Sequence, residues 1–304
     1  MTGVDDALGP LFLLILLGAV LGWRRWPGGD FWPRMEGVIY YLLFPAMLVS
    51  TLATANVDDV PLGRLAIALL GVMIGFALLL WRSQHWLGLD GATFTSVFQG
   101  ALRFNTYVGV AGAAAIHGSS GATVAAVAVA LMVPVVNILC VASFIAAGTL
   151  GRAGLGRSLL ALIRNPLILA CVLGIVLNLT GTGLPGWSGR AIDLLGDAAL
   201  PLGLVAVGVA LRPHSLMRQD RGVWTANLIK LVLTPALVLG LTFLLRLDPV
   251  SRDVALLFAA LPTATSAYIL ARQLGGDADL MAALITGQTL LAMITLPIWL
   301  LLTG

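Results

Sequence analysis

The sequence predicts an all-α polytopic membrane protein of ten transmembrane helices, built as a 5+5 inverted repeat with two broken, crossing helices at spans 4 and 9. Three observations carry that expectation. The 304-residue chain is 59% hydrophobic and 10% charged, whereas a soluble domain carries about 25% charged residues. Apolar stretches close to the roughly 20 residues that cross a hydrocarbon core recur ten times. Two of these stretches carry polar residues or a proline near their middles.

The spans run near 8–23, 36–53, 62–81, 92–117, 121–147, 166–180, 191–211, 224–245, 253–272 and 279–302. The first is read as an uncleaved span, because the leading MTGVDD is acidic and the basic pair Arg24 and Arg25 follows it. Threading the spans with the N-terminus outside gives eleven inner cations: Arg24, Arg25, Arg34, Arg82, Arg152, Arg157, Arg164, Arg212, Arg218, Arg221 and Arg272. Only Arg64, Arg190, Arg246 and Arg252 fall outside. Cytoplasmic loops hold the excess of Lys and Arg, so both termini are expected on the outer side of a plasma (inner) membrane. All eight tryptophans fall in loops or near span ends, where an amphipathic ring prefers to sit.

The chain is expected to form a single membrane domain over 1–304. A first five-helix repeat covers 1–147, a basic cytoplasmic linker 148–165, and a second repeat 166–304. At a shift of 156 residues, PLFLLILLGAVLGW from Pro10 lies over PLILACVLGIVLNL from Pro166 with seven identities in fourteen. The same shift sets Pro45 on Pro201 and span 4 on span 9. An odd number of spans per repeat makes the two copies enter the membrane from opposite sides. That is the plan of secondary transporters, whose substrate sites lie near the midplane on interrupted helices.

Span 4 contains GALRFNTYVGVAGAAAIHG, with Arg103, Asn105, Thr106 and Tyr107 close together in apolar sequence. Polar groups at mid-bilayer are costly, about 2.5–3.5 kcal/mol for a charge on insertion scales. The helix is expected to break there, since Asn is a poor helix former and a good cap and Gly109 and Gly112 follow. The partner segment is LFAALPTATSAYILARQLGGD in span 9, interrupted by Pro262, Thr263, Thr265 and Ser266. Proline removes a backbone donor, and hydroxyls can re-satisfy freed carbonyls. Two half-helix N-termini meeting at the midplane carry partial positive charge, which suits an anion. A carboxylate could use the amide of Asn105, the phenol of Tyr107 and Arg103; a second reading has Arg103 lining the inner vestibule.

The stretches RFNTYVG, LPTATSAYILA, FPAML and ALPLGL resemble the auxin efflux carrier family, which joins bacterial carboxylate permeases with the plant auxin carriers. The resemblance runs over essentially the whole chain. It implies a scaffold of spans 1, 2, 6 and 7, a mobile unit of spans 3–5 and 8–10, an elevator movement and a homodimer. It also implies that Asn105 contacts substrate, that Pro262 and its hydroxyl neighbours line the other side, and that Pro45 and Pro201 face the site from the scaffold. The plant carriers carry a proline soon after NT in span 4 and another deeper in span 9. Here Gly112 and Ala267 stand in those neighbourhoods, so a softer break resting on Asn and Gly is expected.

The function expected is secondary transport of a small organic anion, a carboxylate or auxin-like acid, by alternating access, in contact with lipid and not with nucleic acid. The alternatives are a sodium-coupled carrier resembling the bile acid symporters and a non-transporting membrane receptor or enzyme scaffold. No cofactor and no metal is expected; proton or sodium coupling stays open, with Asp197, Asn137 and Gln288 as candidates and Asp193 beside them. Gln99, Asn137, Asn227 and Gln288 are read as candidates for interhelical hydrogen bonds, Lys230 as a snorkelling side chain, and Gly18/Gly22 and Gly71/Gly75 as close-packing pairs. Cys140 and Cys171 read as buried apolar residues. GTGLPG at 181–186 lacks the strand and helix that give a glycine-rich motif meaning. His85, His117 and His214 fall in loops or at a span end, and neither an HExxH motif nor a Ser-His-acid set is visible, so the chain is not expected to be an enzyme.

Overall fold

A computed structural model describes residues 2–55, 60–149, 156, 160, 164–184, 186–218 and 220–303. Most of the expected linker, with Arg152 and Arg157, lies outside the described residues, as do Pro185 of GTGLPG and the side chain of His85. The described chain is helical, with no strand among those residues. In order come α1 (Thr2–Trp23), α2 (Phe31–Val38), α3 (Phe44–Thr54), α4 (Leu62–Leu87), α5 (Gly91–Leu102) and α6 (Thr106–Ala146). They are followed by α7 (Pro166–Leu179), α8 (Gly186–Val209), α9 (Arg221–Leu228), α10 (Thr234–Leu244), α11 (Pro249–Ala260), α12 (Ser266–Leu274) and α13 (Ala278–Leu301).

Among the described residues, seven segments are long and apolar enough to cross a membrane: Asp6–Trp23, Phe31–Thr54, Leu62–Gln84, Gly91–Ala146, Gly186–Val209, Arg221–Leu244 and Ala278–Leu301. The chain is therefore polytopic. Gly91–Ala146 is 56 residues long, more than one crossing needs, and it is broken at 103–105 and kinked at Gly118, whose φ is 59°. α7, expected as span 6, has 14 residues, and span 9 is interrupted between α11 and α12.

Two compact units share the described chain. One holds Met1–Leu62, Thr106–Val133 and Arg164–Leu211; the other holds Gly63–Asn105, Pro134–Ile163 and Arg212–Gly304. The boundaries thus fall inside spans 4 and 5, where the resemblance implied that both spans belong whole to the mobile part.

In the first unit α1 lies along α8 with the backbones in contact. A Cβ at Gly18 would run into the Val205 carbonyl, and one at Gly208 into the Ile15 carbonyl. Small residues allow this approach between membrane helices. α3 packs in the same manner, with Gly174 of α7 against Val49 and Leu52 and Gly196 of α8 against Met47. The Gly71/Gly75 pair of α4, in the second unit, does not follow suit: a Cβ at either meets nothing within 4 Å.

The second unit has its core between α5, α9 and α13, where Val97, Val223, Ala226, Leu280, Ala283 and Leu284 are all buried. Its helix starts are capped by acids. Asp220 accepts the Val223 N–H at 3.1 Å and Asp277 the Leu280 N–H at 2.9 Å, satisfying donors that a helix start leaves open. Arg218 bridges these two caps, 2.6 Å from Asp220 and 2.8 Å from Asp277.

A proline shapes one helix of each unit. α2 joins α3 through a π-turn, Ile39–Leu43, and α9 joins α10 through another, Ile229–Leu233. Pro45 and Pro235 each stand two residues after the end of the π-turn. Proline offers no N–H and crowds the carbonyl four residues back, and the helix widens there. For Pro235 that carbonyl belongs to Leu231, and it accepts the Trp299 indole N–H at 2.9 Å.

Candidate functional site

Span 4 starts as α5, where Asp90 accepts the Thr93 N–H at 3.0 Å. Twelve residues on, the helix stops at Leu102, and Arg103 is extended at φ −69°, ψ 153°. Span 9 has the same build. Asp248 accepts the Ser251 N–H at 3.0 Å, α11 runs for twelve residues, and Leu261 is extended at φ −61°, ψ 145°. Pro262 accounts for the second stop, because proline pushes the residue before it out of helical conformation. The first stop has no proline. Nor does it rest on glycine: Gly109 and Gly112 lie inside regular helix, and the non-helical residues are Arg103, Phe104 and Asn105.

The two breaks are bonded to each other within the second unit. The Asn105 backbone N–H donates to the Pro262 carbonyl at 2.8 Å. The Thr263 hydroxyl lies 2.8 Å from the Gly100 carbonyl and 2.7 Å from the Gln288 amide oxygen, either of which can take its one proton. That amide oxygen also accepts the Thr263 N–H at 2.9 Å, and the Gln288 amide nitrogen donates to the Gly100 carbonyl at 3.0 Å. Backbone groups released by the breaks thereby find partners without water, which buried polar groups require. Asn105, Thr263 and Gln288 are all buried.

Arg103 completes the cluster. Its guanidinium donates to Asn137 Oδ1 at 3.0 Å and to Ser266 Oγ at 3.1 Å, spanning α6 and the first residue of α12. Its Nε is buried without a partner, and among the described residues no carboxylate pairs with it. The guanidinium thus lies against the first residue of α12, at the positive end of that helix, and a planar cation beside a helix N-terminus can hold an anion.

The residues expected from the sequence are thus partly assembled. Arg103, Asn105, Pro262, Thr263 and Ser266 come together, and Asn137 and Gln288, read both as interhelical hydrogen-bonding groups and as ion-coupling candidates, bond Arg103 and Thr263 in the first of those roles. Thr265 precedes α12, its carbonyl accepting the Tyr268 N–H at 3.1 Å. Thr106, Tyr107, Gly109, Pro45, Pro201 and Asp197 belong to the first unit. There the Tyr107 ring meets Phe44 edge-on at 4.7 Å and covers Gly203. Pro45 is half-buried, and Pro201 and Asp197 are exposed on α8; Asp193 accepts the Ser50 hydroxyl. A groove of about 280 Å³, lined by Tyr268, Ile269, Arg272 and Gln273, lies farther along α12.

Four residues at the breaks escaped sequence reasoning in this role. Gly100 acts through its carbonyl and so leaves no signal. Phe104 looks like any buried aromatic, and Gln99 is a fully buried side chain with both polar atoms unpartnered. Lys230, expected to snorkel, is instead buried with its ammonium 5.9 Å from the centre of the Phe104 ring. The turn that carries it packs against α5, so the side chain is enclosed and not directed outward.

A broken, polar crossing inside an all-helical membrane chain is the architecture of a transporter, and comparison with known proteins agrees. Residues 150–300 match the family described as "Membrane transport protein". The chain belongs to that family of membrane transporters. An uncharacterized transporter of Methanothermobacter thermautotrophicus is 26% identical over 305 residues, covering 98% of this chain and 97% of that one. A proposed malonate transporter of Rhizobium meliloti is 27% identical over 311 residues, covering 97% and 94%. Auxin efflux carrier component 1 of Arabidopsis thaliana is 28% identical over 148 residues, 46% of this chain and 24% of the carrier. These relatives are transporters, not enzymes.

Proposed function

We propose that this family member is a secondary transporter carrying a small organic anion, a carboxylate, across the plasma membrane by alternating access, with the crossing of spans 4 and 9 as its substrate site. The observation that carries the proposal is Arg103: a guanidinium held between Asn137 and Ser266, beside a helix N-terminus, with no carboxylate paired to it among the described residues. Breaking two helices at membrane depth costs hydrogen bonds, and a site of pre-oriented donors repays that cost when an anion arrives. The malonate and auxin named in two relatives' descriptions are both carboxylic acids.

The reading includes ten crossings in two inverted repeats with both termini outside. Its support is the parallel between α5 and α11, each of twelve residues, acid-capped and ended by an extended residue. A positive-φ glycine then follows each second half, Gly118 and Gly275. An elevator movement and a homodimer belong to the same reading, and the division of the chain into two compact units suits the former.

The test is a thermal-shift screen of purified protein against organic acids, with Asn105→Ala in parallel, followed by counterflow in proteoliposomes. A carboxylate should stabilise the parent and not the variant, and should exchange across the bilayer. Equal stabilisation of both would move the site elsewhere. Binding without movement under any gradient would make the protein a receptor, and uptake that requires sodium would place it with the sodium-coupled carriers.

A further inference from the structure

α12 carries a groove that the proposed substrate site does not use. It has a volume of about 280 Å³ and is lined by Tyr268, Ile269, Arg272 and Gln273. Ile269, Arg272 and Gln273 stand at the three- and four-residue spacing that sets side chains on one helix face, and all three are exposed. Along that face the chemistry passes from aliphatic to cationic and polar within one turn, about 5.4 Å of helix. Tyr268, an amphipathic ring, is of the type found where hydrocarbon gives way to head groups.

Arg212 adds a second guanidinium at the rim, and it is fastened at two points. Its backbone N–H donates to the Thr286 hydroxyl at 3.0 Å, and its Nη1 donates to the Tyr268 hydroxyl at 2.9 Å. The guanidinium carbon lies 4.3 Å from the centre of the Tyr268 ring, so this cation is seated on the groove wall. Among the described residues neither Arg212 nor Arg272 pairs with a carboxylate, and the groove lining holds none. Asp220 and Asp277, the acids nearest to them in sequence, are both engaged by Arg218. An arginine in the last turn of a helix answers the helix dipole, which accounts for Arg272. It does not account for a second arginine seated on Tyr268, one turn away along the same groove.

From this we infer that the groove binds an anionic phospholipid, its phosphate held by Arg212 and Arg272 and an acyl chain lying along Ile269. Guanidinium forks match phosphate oxygens, and basic pockets beside membrane helices hold anionic head groups. The volume falls below the roughly 300–1,000 Å³ of sites for drug-sized ligands and suits a head group. Ile269, 47% exposed at the cationic end of an apolar face, favours a lipid over free phosphate. The inference concerns a lipid and not the cargo, so it stands or falls apart from the organic-anion reading.

Phosphatidylglycerol and phosphatidylcholine with the same acyl chains are the probes, and native mass spectrometry of the purified full chain counts the lipid retained. Glycerol phosphate, the head group without tails, and malonate serve as competitors. The parent should prefer phosphatidylglycerol by about tenfold, since each arginine near a membrane surface is worth about fivefold. Arg272→Gln removes a side chain without a hydrogen bond or ion pair among the described residues, so it should cut the preference about fivefold with an unchanged unfolding midpoint. Arg212→Gln should cut it similarly, whereas Arg34→Gln, at an exposed arginine of the first unit, should leave it intact. Equal retention of the two lipids by the parent overturns the inference, as does a folded Arg272→Gln protein that keeps the preference. Displacement of the lipid by glycerol phosphate at equal concentration would make the groove a site for soluble phosphates, and displacement by malonate would make it part of the cargo's path; either result overturns the lipid assignment.

Discussion

Gln288 and Thr263 clasp each other at the crossing, the Gln288 amide oxygen accepting the Thr263 N–H at 2.9 Å while its nitrogen donates to the Gly100 carbonyl at 3.0 Å. One side chain of α13 thereby satisfies a donor freed by the break in span 9 and an acceptor freed by the break in span 4. The breaks are thus held by side-chain amides as well as by the single backbone bond from Asn105 to Pro262.

Gln288→Leu should therefore destabilise the protein more than an ordinary core change. It orphans the buried Thr263 N–H, at about 1–3 kcal/mol, and leaves the Gly100 carbonyl with the Thr263 hydroxyl alone, 2.8 Å away. Thermal unfolding in detergent would register this as a lowered midpoint. An unchanged midpoint would show that the crossing is held by other means.

Arg103→Lys keeps the charge and loses the fork. A lysine is a point charge on a flexible stem and cannot span Asn137 and Ser266 in the same fixed geometry. The expected result is carboxylate binding weakened at least about tenfold with little change in unfolding midpoint, because charge-assisted bidentate contacts are the strong ones. Full retention of binding would assign Arg103 to a vestibule wall.

Sequence reasoning reached the breaks because Arg103, Asn105 and Pro262 stand out in apolar runs, where a polar group or proline has few uses. It did not reach Gly100, whose contribution is a carbonyl common to every residue. Lys230 was misplaced for a different reason: its distance from the span end allows snorkelling, and only the packing of Phe104 over it shows that the stem goes inward. Asn137 and Gln288 were visible as polar residues within spans, but their partners are fixed by tertiary contact. The glycine pairs make the same point most simply. Gly18/Gly22 and Gly71/Gly75 have identical spacing, yet only the first pair meets a neighbouring backbone.

Substitution separates those pairs. Gly18→Ala pushes a methyl into the Val205 carbonyl, an overpacking worth about 1–3 kcal/mol of lost stability. Gly71→Ala meets open space and should be neutral or stabilising by up to about 1 kcal/mol through helix propensity. Unfolding midpoints of the two variants should move in opposite directions or, at the least, differ clearly.

Outside the membrane-spanning segments, Asp220 makes stability depend on pH. Burial opposes its charge, but the hydrogen bonds from Arg218 and the Val223 N–H outweigh that cost and hold its carboxyl below the usual carboxylate range. A group whose folded pKa is depressed contributes stability that is fully present above its unfolded value, about 3.9, and is lost as the pH falls through the folded value. Asp220→Asn keeps a good capping side chain and removes the pairing with Arg218. With the two side chains 40% and 31% exposed, the pair is worth only about 0.5–1 kcal/mol at neutral pH. The variant should therefore unfold at a slightly lower temperature than the parent at pH 7, and the gap should narrow both in acid below the carboxylate range and in high salt, where screening shortens to about 3 Å at 1 M. A gap that persisted unchanged in acid would locate the loss in the cap of α9 and not in the charge of Asp220.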